Sequence, residues 1–248
     1  MKFLIGDIGN TSTKICVLNN NFKILRSYNI ETIKMFKGHF IKTIIRKKIN
    51  KNLNPVFLFS SVVPKVLINI KKGLKFTKYK ALEIKNLNLN KIIKINVKNK
   101  KQLGSDRIAN AIGAKKFKNC LVLDFGTATT FDVIKNGRYE GGVIAPGVKL
   151  SIKNLSQATA LLPLINLSSN QKKIGKNTKE ALNAGFIWGY EGLLNNIIDK
   201  IISKNKKKFK IILTGGYANF FKKMIKKNVT VDQDITIKGI ANVYKELI

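Results

Sequence analysis

The chain has 248 residues, 44% of them hydrophobic, which is enough for one large domain or two small ones with a buried core. Its 47 lysines and arginines outnumber its 13 aspartates and glutamates, giving a formal net charge of +34. No apolar run reaches the roughly 18 residues of a membrane span, and a single histidine argues against a histidine-rich zinc site. The apolar run before Asp7 is too short for a signal peptide, and both cysteines lie inside apolar runs rather than in a disulfide framework. These features predict a cytoplasmic protein with reduced thiols.

The positive charge has two interpretations. It is typical of proteins that bind nucleic acids or anionic membranes. However, only four of the basic residues are arginines, and lysine, isoleucine and asparagine are all residues of A/T-rich codons. The lysines are also spread along the chain and are not interleaved with aromatic residues as in a base-stacking surface. We therefore predict a composition effect, with no specific nucleic-acid partner and no membrane partner.

In the first part of the chain, apolar runs predict strands, then a helix, and then further strands and helices. The strands are expected at 3–7, 14–18, 22–30, 55–64 and 75–83, and the helices at 36–50, at 64–72 and from Ser105. Residues 85–101 are rich in lysine and asparagine and predict a surface loop with a short strand.

The second part repeats this order. A strand–turn–strand is predicted over 120–134, followed by a strand at 138–145, helices from 148 and over 178–204, a strand before the Gly-Gly pair at 215–216, and a last helix. This alternation predicts an α/β architecture in two similar halves, 1–114 and 115–248, with the last helix a candidate to pack back on the first half.

Two Asp-Gly loops form the main motif. "DIGNTST" begins at Asp7 and "DFGTATT" begins at Asp124, and the two align without gaps, so that Thr13 matches Thr130. One such loop is explained equally well by a hairpin turn. Two copies predict a pair of phosphate-binding loops, because glycine lets backbone N–H groups approach an anion. A carboxylate repels phosphate, so each Asp needs a cation, Mg²⁺ for one and a monovalent ion for the other.

Three further motifs could form a site. "LTGGYA" places glycines between a strand and a helix, and "GGVIAPG" forms another turn before a helix. In "GSDRIANA" Asp106 is explained by helix capping alone, but Arg107 is not favoured at a helix N-terminus. An acid beside a cation could orient a substrate hydroxyl and hold a substrate anion. Neither a Walker A sequence nor a Rossmann glycine motif is present.

These motifs resemble those of the superfamily that includes acetate kinase, sugar kinases, heat-shock ATPases and actin. More narrowly, the chain resembles type III pantothenate kinases almost from end to end. The stretches that carry the resemblance are "DIGNT", "SSVVP", "GSDRIANA", "LDFGTATTFD", "GGVIAPG", "LP", "NTKEALNAGFIWG", "LTGG" and "TIKGI". The resemblance implies a duplicated fold of two ribonuclease-H-like α/β halves with an ATP cleft between them.

The resemblance also implies transfer of the γ-phosphoryl group of ATP to the terminal hydroxyl of pantothenate, the first step of coenzyme A synthesis. Asp106 would be the catalytic base. Pantothenate would be contacted by Gly104, Ser105, Asp106, Arg107 and Thr178. The ATP phosphates would be held by Asp7, Ile8, Gly9, Asn10, Thr11, Ser12, Thr13, Lys14 and Thr127. Asp7 would lie at the Mg²⁺ end of the ATP and Asp124 would bind K⁺ or ammonium, in a homodimer whose substrate site is completed at the subunit interface.

The chain departs from the family where a tyrosine and a proline often precede the "GSDR" motif, since Val97 and Lys100 stand there. Three alternatives remain open at this point. The chain could phosphorylate another small alcohol, could be a non-catalytic regulator like the related Bvg accessory factor, or could bind nucleic acid through its charge. The presence of Asp7, Asp106 and Asp124 favours a kinase, because a regulator has no chemical need of them.

Overall fold

Each Asp-Gly loop joins the first two strands of its own five-stranded sheet. The computed structural model describes residues 1–36, 52–169, 173–203 and 208–248. The first sheet has the order β3-β2-β1-β4-β5. Its strands are β1 (Lys2–Ile8), β2 (Ser12–Leu18), β3 (Ile24–Glu31), β4 (Leu53–Ser61) and β5 (Lys80–Glu83). Strand β2 is antiparallel to β1 and β3, whereas β4 is parallel to β1 and β5.

The second sheet repeats this topology, with the order β10-β9-β6-β7-β8. Its strands are β6 (Cys120–Phe125), β7 (Ala128–Lys135), β8 (Arg138–Pro146), β9 (Lys210–Gly215) and β10 (Val229–Val231). Here β7 is antiparallel to β6, whereas β9 is parallel to both β6 and β10. The α/β prediction of two duplicated halves is therefore confirmed by two mixed sheets with the same strand order.

All of the described helices except the last, which follows β10, lie in the connections between these strands. The helices are α1 (Thr32–Met35), α2 (Pro64–Leu74), α3 (Ser105–Gly113), α4 (Val148–Gln157), α5 (Thr178–Ser203), α6 (Ala218–Phe221) and α7 (Ile235–Leu247). The helix predicted at 36–50 lies, apart from Phe36, outside the described residues. The strand predicted at 75–83 begins only at Lys80, because the preceding residues form turns after α2.

Two compact units can be separated. Unit 1 comprises Met1–Lys116, Gly137–Gly141 and Asp234–Ile248, and unit 2 comprises Phe117–Asn136 and Gly142–Gln233. The apolar core of unit 1 includes Leu4, Ile8, Phe57 and Val66, so that one face of its sheet packs on α2. The core of unit 2 lies between its sheet and the helices α4 and α5.

Helix α7 belongs to unit 1 and packs closely on α3. A Cβ atom on Gly239 would overlap the backbone carbonyl of Ala109, and one on Gly113 would overlap that of Ile235. The Thr236 hydroxyl donates a 2.6 Å hydrogen bond to Oδ1 of Asn110, whose side chain is completely buried. Helix α7 is therefore fixed to α3 both by backbone contact and by a buried hydrogen bond.

No helix in the described ranges is long and apolar enough to cross a membrane.

Candidate active site

The first Asp-Gly loop is a tight hairpin turn between β1 and β2. The Gly9 N–H donates a 3.0 Å hydrogen bond to the Ser12 carbonyl, and a Cβ on Gly9 would lie 2.9 Å from that carbonyl oxygen. Ile8 is buried, so it can offer a ligand only its backbone, while Asn10, Thr11 and Ser12 are exposed. The turn therefore presents small polar residues to solvent, which suits a phosphate-binding loop.

The side chains of two threonines, Thr13 and Thr32, stabilise this turn by hydrogen bonds. The Thr32 hydroxyl donates to the Gly9 carbonyl at 2.6 Å, so its contact of 3.0 Å with the Thr13 hydroxyl must be donated by Thr13. Thr13 is completely buried. Its side chain thus holds the turn in shape and does not face solvent. Thr32 was not predicted, because only the pairing of β2 with β3 brings it to the loop.

Three polar side chains are neighbours where β1, β2 and β4 run side by side. Asp7 pairs with Lys14 on β2 and with Ser60 on β4, so the three side chains share one face of the sheet. Lys14 Nζ lies 2.6 Å from Oδ1 of Asp234, the residue before α7. The Ser60 hydroxyl is buried and has no hydrogen-bond partner within the described part of the chain. The buried "SSVVP" strand could have signalled Ser60, since a buried polar residue at the carboxyl end of a parallel strand is unusual.

The "GSDR" motif forms the first turn of α3. Gly104 is the N-cap residue, and a Cβ there would overlap the Asp106 carboxylate. The Arg107 N–H donates a 2.8 Å hydrogen bond to Asp106 Oδ1, which folds the carboxylate back over Gly104. The buried Ser105 hydroxyl donates to Oε1 of Glu83 at 2.5 Å. Glu83, at the end of β5, is a further residue that sequence reasoning missed.

The environment of Asp106 favours its protonated form. Burial raises the pKa of its carboxyl group above the ordinary value of 3.8, while the Arg107 N–H bond and the charges of Arg107 and Lys85 oppose this effect. A carboxylate with increased proton affinity is better able to accept the proton of a substrate hydroxyl. Asp106 is therefore the candidate for a general base at this site.

The second Asp-Gly loop lies in unit 2. Asp124 on β6 pairs with Thr130 on β7, and the Gly126 N–H donates to the Ala128 carbonyl at 3.1 Å. This connection is one residue shorter than the first, because Asp7 pairs with Lys14 and not with Thr13. The gapless alignment of Thr13 with Thr130 is therefore wrong.

The other glycine motifs of unit 2 close around this second loop. Gly215 has a φ of +84°, and a Cβ there would lie 2.7 Å from Oδ1 of Asp124. A Cβ on Gly147 would overlap the carbonyl of Thr127. These glycines let "LTGG" and "GGVIAPG" approach Asp124 and Thr127 closely.

Asn177 and Glu180 exchange hydrogen bonds at the start of helix α5, in a variant of the capping box. The Glu180 N–H donates to Oδ1 of Asn177 at 3.0 Å, and Oε2 of Glu180 accepts from the Lys176 N–H at 2.9 Å. Asn177 is therefore the cap, and Thr178 is exposed at the start of the helix.

The residues that replace the family's tyrosine and proline lie in unit 1. Val97 is partly buried, with its Cγ1 atom 3.9 Å from where a Cβ of Gly141 would stand. Lys100 is exposed at the start of the 3₁₀ turn Lys100–Gln102, just before Gly104. The space beside Gly141 is thus bordered by an aliphatic side chain where the family often has an aromatic one.

The described residues contain no cluster of three or more histidines, cysteines or acids that could hold a metal ion. Mg²⁺ is usually bound by one or two carboxylates together with substrate phosphates. Asp7, partly exposed beside the polar turn, fits that pattern.

Because the pKa of Asp106 is raised, this residue should make the free energy of unfolding depend on pH. A pKa above 3.8 means that the native state holds this proton more tightly than the unfolded chain, so ionisation destabilises the fold. Asp106→Asn removes the charge and keeps the oxygen that accepts from Arg107. Its free energy of unfolding in urea should exceed the wild-type value at pH 7, and the difference should shrink as the pH falls toward 4. A difference independent of pH, or a more stable wild type at pH 7, would contradict this.

The sequence of the chain is similar to those of proteins in one kinase family. The family model described as type III pantothenate kinase matches residues 3–200. A type III pantothenate kinase from Pelagibacter ubique (strain HTCC1062) is 49% identical over 240 residues, which is 96% of each chain.

Two solved structures share the fold. One, from Campylobacter jejuni and described as a Baf family transcriptional activator, has a TM-score of 0.65 at 20% identity, covering 98% of both chains. The other is the activator of 2-hydroxyisocaproyl-CoA dehydratase from Clostridium difficile with bound ADPNP, with a TM-score of 0.51 at 12% identity, covering 98% of this chain and 94% of that one. Since the family model covers most of the chain and the Pelagibacter relative nearly all of it, the chain belongs to the type III pantothenate kinase family.

Proposed function

We propose that this protein phosphorylates the terminal hydroxyl of pantothenate with ATP, as the first step of coenzyme A synthesis. The observation that carries the proposal is Asp106, a partly buried carboxylate of raised pKa that Gly104 and the Arg107 N–H hold at the start of α3. It stands in a chain whose family membership extends over almost its whole length.

The roles of the unit 1 residues follow from their chemistry. The exposed turn of Asn10, Thr11 and Ser12 and the ammonium of Lys14 bind ATP phosphates through hydrogen bonds and charge. Asp7 holds Mg²⁺, which when bound neutralises phosphate charge. Phosphoryl transfer depends mainly on such positioning and charge neutralisation.

At the other reactant, Asp106 orients the attacking hydroxyl and accepts its proton. Arg107 binds the pantothenate carboxylate, because a guanidinium pairs well with a planar carboxylate. Gly104, Ser105 and Thr178 complete the contacts with pantothenate. The hydrogen bond from Ser105 to Glu83 fixes the start of α3 on β5, so that Asp106 and Arg107 keep their places.

The alternatives have less support. A regulator would not need Asp106 to be held in a desolvated position at a helix start. A kinase for another alcohol would use the same phosphate loop, so only substrate tests separate it. Location in the cytoplasm is also part of the proposal, because both described cysteines are unpaired thiols, as in a reducing compartment.

In unit 2 we assign a monovalent cation, K⁺ or ammonium, to Asp124, and phosphate contact to Thr127. Both residues stand beside glycines that bring backbone carbonyls and amides close, and Asp124 is partly exposed. Oxygen-rich surroundings of this kind suit a hard cation.

We also assign the protein to a homodimer. Strand β8 ends the second sheet and exposes Val143 and Ile144, the latter by 64%. An exposed apolar edge strand is a surface that a second copy can cover.

Catalysis is tested by ADP release. Wild-type protein with Mg-ATP and K⁺ should release ADP only when pantothenate is added, and not with a panel of sugars. Asp106→Asn should lower turnover by about 10²–10⁴-fold, the usual contribution of a general base. As a matched control, Asp199→Asn changes an exposed carboxylate on α5 and should retain activity. Near-normal turnover by Asp106→Asn would rule out the base assignment.

The cation assignment is tested with the same assay in different salts. Activity should require K⁺ or ammonium and be low in Na⁺ alone, and Asp124→Asn should be slow in every salt because it lacks the ligand charge. Full wild-type activity in Na⁺ alone would show that Asp124 serves another purpose.

Light scattering tests the dimer. The wild type should have the mass of two chains, and Ile144→Asp should have the mass of one, since a charge would be buried at the interface. Phe76→Asp is the control, because Phe76 is 90% exposed in unit 1. A monomeric wild type, or a dimeric Ile144→Asp, would refute this assignment.

A further inference from the structure

The ion pair between Lys14 and Asp234 joins the phosphate loop to the last helix. Their charged atoms, Nζ and Oδ1, lie 2.6 Å apart, and the side chains are 25% and 39% exposed. Asp234 has no part in the roles assigned above. We propose that Asp234 is a positioning residue, which holds the Lys14 ammonium ready for the nucleotide phosphates. This rests on the proposed function in so far as Lys14 binds ATP.

Asp234 can act in this way because its backbone does not move freely. Its carbonyl accepts a 2.8 Å bond from the Lys238 N–H in the first turn of α7. Two residues later, Thr236 is tied to the buried Asn110 of α3, and Gly239 packs against the backbone of Ala109. Asp234 is therefore attached to the same helix that carries Asp106, and it places Lys14 relative to that helix.

A free lysine would bind phosphate less well than a held one. Ordering a lysine side chain costs conformational entropy, because this long side chain has many rotamers to lose. The ammonium has three N–H donors and Asp234 Oδ1 accepts from only one of them, so this ion pair does not by itself use up the donors that phosphate oxygens need. In this arrangement most of the ordering is complete before the nucleotide arrives, which increases affinity.

The pair has only a small role in stability. Both side chains are partly exposed, and such ion pairs contribute little to the free energy of folding. The Asp234 side chain also makes no capping hydrogen bond to α7. Removing its charge should therefore alter nucleotide binding while the fold remains intact.

The test is a double-mutant cycle on nucleotide affinity. Binding of a non-hydrolysable Mg-ATP analogue is measured by calorimetry for the wild type, Lys14→Met, Asp234→Asn and the double variant, all without pantothenate. Asp234→Asn should weaken binding about fivefold, and in the kinase assay it should raise KM for ATP with kcat nearly unchanged. Lys14→Met should weaken binding about tenfold or more, and the double variant should match Lys14→Met within about twofold.

The control is Asp199→Asn, which breaks the exposed ion pair of Asp199 with Lys227, 3.2 Å long, and should leave affinity unchanged. The proposal is overturned if the two single effects multiply in the double variant, if Asp234→Asn tightens binding, or if Lys14→Met has no effect. Because affinity is measured without pantothenate, a protein that bound the nucleotide with this coupling but phosphorylated no pantothenate would refute the proposed function alone.

Discussion

The close contact between α3 and α7 is the constraint on which the arrangement of unit 1 depends. Glycine at positions 113 and 239 lets the two helices meet backbone to backbone, since any side chain there would overlap a carbonyl of the other helix. The chain thereby brings its last residues onto a helix more than a hundred residues earlier. Asp106 lies in the first turn of α3, and Asp234, the residue just before α7, forms an ion pair with Lys14. One helix contact thus fixes Asp106, the proposed base, and Lys14, the proposed phosphate ligand, relative to each other.

Much of this architecture could be predicted from the sequence, for physical reasons. Asp-Gly turns between apolar strands have a strong local signal, and their repetition indicated two halves with the same strand order, which the sheets confirm. Asp106 and Arg107 could be identified as candidate site residues because an arginine at a helix start is disfavoured by the helix dipole. The cap of α5 could not be assigned in the same way, and the hydrogen bond from the Glu180 N–H identifies it as Asn177.

The residues that sequence reasoning missed act across long distances in the chain. Thr32 reaches Gly9 only because β3 pairs with β2, and Glu83 reaches Ser105 only because β5 ends beside α3. Asp234 meets Lys14 across 220 positions. The one-residue difference between the two Asp-Gly loops was also missed, because strand register depends on turn geometry as well as on the hydrophobic pattern, and an alignment of motif letters does not give the turn geometry. The chain has only 13 acidic residues, so each of them, including Glu83 and Asp234, could have been considered as a candidate for a specific contact.

We expect Asp106 to direct the γ-phosphoryl group of ATP to the terminal hydroxyl of pantothenate. A proton–phosphorus correlation spectrum of the reaction mixture tests it most directly, because it identifies the bond that is formed. With the wild type we expect a new phosphorus signal coupled to the terminal methylene protons of pantothenate, at a reaction time at which a folded Asp106→Asn, slowed by about 10²–10⁴-fold, gives none. Inorganic phosphate as the only new phosphorus product besides ADP, or the same coupled signal with Asp106→Asn, would contradict it.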